Sequence, residues 1–105
     1  MAVGVHNALK DAGLDGEVSI VTYNGGPTGV QMLEDGIIEA TVACPVSLQG
    51  LYLFKAMYLA SQGITPPEKF ISLPNKLITL DNIDEVIPWA ASEDLFELVG
   101  GLDSW

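Results

Sequence analysis

"EVSIVTYNGGPTGV", residues 17–30, decides how the chain folds. Glu17 to Tyr23 form a β-branched, mostly apolar run, which suits a strand covered on both faces in a parallel sheet. Asn24, Gly25 and Gly26 then mark a loop, and Pro27 occupies a first helical position, where a missing N–H costs nothing. The helix it opens runs through Val30, Leu33 and Glu34 and stops at Gly36. A strand, a tight loop and a helix in that order are the unit from which α/β sheets are built.

The same alternation extends on both sides. Met1, Val5, Ala8, Leu9 and Ala12 make a helical stripe that Gly13 can close in the left-handed conformation. "IIEATVA", residues 37–43, is a second strand interrupted by Glu39. Pro45 opens another helix whose apolar face is predicted to include Leu48, Leu51, Tyr52, Phe54, Met57 and Tyr58, with Gly63 as its stop. "FISLPNKLITL", residues 70–80, is extended, and Pro74 divides it or confines it to a sheet edge. Ser92 is a candidate N-cap for a last short helix through Leu95, Phe96, Leu98 and Val99. Helix, strand, helix, strand, helix, strand predicts a three-layer α/β fold, a right-handed parallel sheet flanked by helices.

Composition narrows the functions. The 105 residues carry fourteen carboxylates against four basic residues, a formal charge of −10, with a mean hydropathy of +0.34. That field repels phosphate backbones and anionic lipid, so nucleic acid is a poor partner. Half of the carboxylates (Asp81, Asp84, Glu85, Glu93, Asp94, Glu97, Asp103) lie in a C-terminal segment without one basic residue. It reads as a solvated acidic tail with no calcium-loop pattern. A single cysteine and a distant His6, placed on the polar side of the first helix, give no zinc spacing and no disulfide. Neither phosphate-binding glycine pattern is complete at Gly25 and Gly26, so no cofactor is expected. No nucleophile has a base beside it in the sequence, and the chain does not read as an enzyme.

In open α/β sheets ligands bind beyond the carboxyl ends of the strands. Asn24, Gly25 and Cys44 are therefore the candidate ligand-binding residues. Each has a plainer reading. Asn24 also suits a turn that needs positive φ. Cys44 also suits a small buried hydrophobe, while no local basic group favours a catalytic thiol.

Residues 1–50, from "MAVGVHNALKDAGLDG" to "ATVACPVSLQG", resemble the C-terminal part of the type I periplasmic substrate-binding proteins of ABC transporters, the ribose- and galactose-binding group. In that family a helix of the form M-A-x-G-A-x-x-A-L-x-x-A-G leads to a strand ending G-x-D-G, then a helix ending D-G, then A-T-[VI]-A-Q-x-P. "LITLDNIDEV", residues 77–86, resembles its closing strand. The resemblance covers residues 1–87, and residues 88–105 form the acidic tail with a short helix. It implies a flavodoxin-like half of a two-lobed receptor, incomplete here, since relatives are about three times longer. It further implies that the chain crosses lobes after Cys44 and returns near residue 70, leaving residues 1–44 and about 70–82 in one lobe.

By the same resemblance Asn24 stands where the family has a sugar-binding aspartate, and Cys44 where it has a glutamine. Loss of the charge at position 24 weakens or redirects polyhydroxy recognition, because charge-assisted hydrogen bonds are roughly twice as strong as neutral ones. The implied function is binding of a sugar or similar small polar solute in the periplasm for delivery to a membrane permease. No export signal is visible in the chain, and an exposed sheet edge predicts self-association or pairing with a missing lobe. The effector-sensing domain of a LacI-type repressor shares the motif order and is the first alternative. A standalone flavodoxin-like domain is the second.

Overall fold

A computed structural model describes residues 1–105 as a small α/β protein with a three-stranded mixed sheet and five helices. The chain divides into two units, Met1–Cys44 with Asn75–Val86, and Pro45–Pro74 with Ile87–Trp105. The first break falls at the bond between Cys44 and Pro45, and the return comes at Asn75, after Pro74.

The first unit contains helix α1 (Ala2–Asp11), strand β1 (Val21–Asn24), helix α2 (Pro27–Glu34), strand β2 (Ala40–Ala43) and strand β3 (Lys76–Ile78). Pro27 opens α2 as its sequence position predicts, and Gly36 follows its end at φ +74°. β1 and β2 are parallel, with Thr22 opposite Thr41 and Tyr23 opposite Val42. β3 runs antiparallel to β2, with Ile78 opposite Thr41 and Leu77 opposite Val42. This corrects the all-parallel expectation. β2 leaves the unit at Cys44 and the chain re-enters at Asn75 beside that same end, so the next strand must run backwards along it.

Alternation of side chains across these registers separates two faces. Thr22, Thr41 and Ile78 form one row, and this side carries the core of Ile20, Met32, Leu33, Ile38, Ala43 and Ile78, with Met32 and Leu33 supplied by α2. Tyr23, Val42 and Leu77 form the next row on the opposite face, where Val21, Tyr23 and Leu77 are 72%, 56% and 58% exposed. The expected third layer is therefore missing from this face. Nor is α1 a buried helix: none of its residues is buried, and Ala2, His6 and Leu9 are the ones half-covered. His6 thus lies on the inner side of α1 rather than its solvated side.

After Ile78 a 3₁₀ helix, Leu80–Glu85, is held by a capping box. The Thr79 N–H donates to Asn82 Oδ1 at 2.8 Å and the Asp81 N–H to Thr79 Oγ1 at 3.3 Å. Lys76 Nζ and Glu85 Oε2 are 3.0 Å apart, and hydrogen bonding to Lys76 holds the Glu85 carboxyl below its ordinary range.

The second unit is built on helix α3 (Val46–Ser61), whose buried face is Ser47, Leu48, Leu51, Lys55 and Leu59. That stripe differs from the sequence reading, for Phe54, Met57 and Tyr58 are exposed and a lysine lies in the middle of the buried face. The segment from Ile87 belongs to this unit. A 3₁₀ helix, Glu93–Val99, packs Leu95 and Val99 on Leu48 and Leu51, with Tyr52, Leu73, Ile87 and Phe96 around them. Ser92 is its N-cap residue, though its side chain makes no capping hydrogen bond. Ser47 Oγ donates to Pro88 O at 2.7 Å, and Phe54 meets Phe96 edge to face at 6.0 Å. No helix in either unit is long and apolar enough to cross a membrane.

Candidate functional site

The three residues singled out in the sequence meet at the carboxyl ends of β1 and β2. Asn24 ends β1 at φ +100°, the one residue other than glycine with positive φ. That conformation is uncommon for residues with a side chain, and asparagine is among those that tolerate it best. Gly25 follows at φ +67°, and a Cβ there would lie 2.8 Å from Ala43 Cα and 2.9 Å from Ala43 Cβ. Glycine at this position thus lets the loop press onto the last residue of β2. The Cys44 N–H donates to the Asn24 carbonyl at 2.9 Å and extends the β1–β2 pairing by one bond beyond the strands.

Two further residues join them. The Tyr23 hydroxyl shares hydrogen bonds with the half-buried Cys44 side chain and with the Asn75 carboxamide, whose oxygen lies 3.5 Å away. The Cys44 hydrogen bond raises the phenol above the ordinary tyrosine range; burial and the sulfur's charge act the same way, and Asn75 opposes them. The run from Glu17 to Tyr23 predicts a strand covered on both faces, which hides Tyr23, whereas Tyr23 lies on the open face. Asn75 belongs to a segment whose sequence predicts only an extended run, and the return of the chain brings it to Tyr23 across 52 residues. The alternation of Thr22 and Tyr23 was the available signal, since it puts the phenol on the opposite face from Thr22.

What the cluster offers is a thiol, a phenol and carboxamides, a set of donors and acceptors suited to a hydroxylated solute. No group of three or more His, Cys, Asp or Glu residues converges as a metal site would require. A groove of about 740 Å³ between α1 and β1 reaches Tyr23 and Asn24, but Met1, Val5, Leu9 and Val18 make its walls apolar. The strand-end cluster, not this groove, carries the polar chemistry.

The link between thiol and phenol can be measured. Cys44→Ala is expected to lower the Tyr23 titration midpoint, read from phenolate absorbance as the difference between each chain and its Tyr23→Phe counterpart. The direction follows from the first cause: a hydrogen bond that favours the protonated phenol is removed. Identical midpoints with and without the thiol would show that Cys44 does not act on Tyr23.

Comparison with known proteins found no matching family model and no matching curated protein.

Proposed function

We propose that this chain is part of the solute-binding component of an ABC transporter, taking up a sugar or similar small polar solute in the periplasm and presenting it to a membrane permease. One observation carries the reading. Of the polar groups at the strand ends, Cys44 and Asn75 are the residues where the chain leaves its first unit and returns, and Asn24 and Tyr23 are hydrogen-bonded to them. In a receptor that closes two lobes by a hinge, groups beside the crossing segments move least, so a site there keeps its geometry while the farther parts of the lobes close over the solute. The finer fold that goes with this reading is one half of a type I periplasmic binding protein. In it Asn24 and Cys44 are ligand contacts and Gly25 allows the close backbone approach that holds both in place.

The test uses the complete two-lobed polypeptide. Pentoses, hexoses and polyols are screened by thermal shift, and a member of that panel is expected to stabilise the receptor. Asn24→Ala is expected to abolish the shift, since it removes a carboxamide donor and acceptor from the site. No stabilisation by any member of the panel would overturn the reading, and an unchanged shift in Asn24→Ala would remove Asn24 from the site. The 105-residue chain by itself, lacking an opposing lobe, is expected to give no saturable titration with the same solutes.

A further inference from the structure

Within the second unit a basic group is buried where no acidic one meets it. Lys55 is 1% exposed on the inner face of α3. Its Nζ donates to the Val99 carbonyl at 2.6 Å and lies 5.4 Å from the centroid of the Trp105 ring. Although the chain carries fourteen carboxylates, its one ion pair is Lys76 with Glu85, and none reaches Lys55. An ammonium group has three N–H donors, and the Val99 carbonyl accounts for one. Burying such a group without an opposite charge is costly, and a ring face offsets only part of that cost.

A second donor nearby is also unspent. The Trp105 Nε1 is buried and has no acceptor, a condition that is uncommon in folded proteins. Lys55 and Trp105 line the same cavity, of about 440 Å³, whose other walls include Tyr52, Phe70, Ile71 and Glu68. A plain structural role, in which Lys55 fastens the end of the Glu93–Val99 helix, explains the bond to Val99. It leaves the indole N–H and the remaining ammonium donors unexplained.

We propose that this cavity binds a small monocarboxylate with an aromatic or aliphatic body, its carboxylate accepting from Lys55 Nζ and Trp105 Nε1. Opposite charge and a second donor among the lining residues select the carboxylate. The Tyr52, Phe70 and Ile71 walls select an apolar body, and Glu68 on the same wall disfavours a second negative charge on the ligand. The site lies wholly in the second unit and shares no residue with the strand-end cluster, so it stands or falls independently of the transport reading.

Calorimetric titration of the full 105-residue chain with sodium benzoate, and with benzamide as its uncharged counterpart, tests the proposal. Benzoate is expected to saturate one site, with benzamide at least about tenfold weaker because the charge-assisted bonds are lost. Lys55→Met is expected to abolish benzoate binding. Trp105→Phe keeps a ring over the ammonium but removes the N–H, and is expected to weaken binding by roughly tenfold. If Lys55→Met does not fold, as judged by circular dichroism, Trp105→Phe decides alone. Failure of benzoate to saturate, equal binding of benzamide, or unchanged affinity in Trp105→Phe would each overturn it.

Discussion

Gly25→Ala is expected to destabilise the protein by about 2–5 kcal/mol, the combined cost of left-handed backbone for a residue with a Cβ and of overpacking against a backbone atom. The prediction rests on two separate observations at one residue. Its φ is +67°, and the added methyl would meet Ala43 Cα at 2.8 Å, closer than carbon atoms approach without something shifting. Ala43 is fixed in β2 and packed in the core, so it cannot move aside without weakening its pairing with Asn24. Gly36→Ala is the control: φ there is +74°, and nothing lies within 4 Å of its added Cβ. Its cost is expected to be the backbone term alone, about 1–2 kcal/mol. Urea unfolding midpoints compare the two, and equal losses would show that the loop at Gly25 does not press on β2. Because Cys44 donates to the carbonyl of Asn24, a shift of this loop also moves two of the proposed ligand contacts.

Local signals reached as far as local physics does. Pro27 and Gly36 bracket α2, and Pro45 and Gly63 bracket α3, because these residues act through φ and the missing N–H, properties that need no distant partner. The direction of β3 was out of reach. Nothing in "NKLITL" encodes which way it runs; that depends on where the excursion from Pro45 to Pro74 ends. The buried face of α3 is not encoded locally for a similar reason. Phe54 and Met57 satisfy an apolar pattern but are exposed, while Lys55 is buried because a carbonyl 44 residues further along the chain and the Trp105 indole ring are placed against it. At the site, Asn24, Gly25 and Cys44 could be found from strand-end logic. Tyr23 and Asn75 required knowing that the sheet is covered on one face only.

Leu33→Ala is expected to cost about 2–5 kcal/mol, the range for truncating a buried leucine in a core that only partly collapses. Leu33 is wholly buried, on the helix that covers the sheet, and it packs in the one cluster that joins α2 to Ile20, Ala43 and Ile78. Val5→Ala in α1 makes the useful contrast. Val5 is 47% exposed in a helix with no buried residue, so little packing is lost, and alanine has the higher helix propensity. The change is expected within about 0.5 kcal/mol of neutral. Urea unfolding of both variants measures the pair. A loss above about 1 kcal/mol for Val5→Ala would mean that in solution something covers this face of α1, since exposed surface substitutions otherwise stay near neutral. Dependence of that loss on protein concentration would identify the cover as a second copy of the chain, and its absence would point back into the chain itself. Either way the comparison separates the helix that holds the sheet from the one that only borders it.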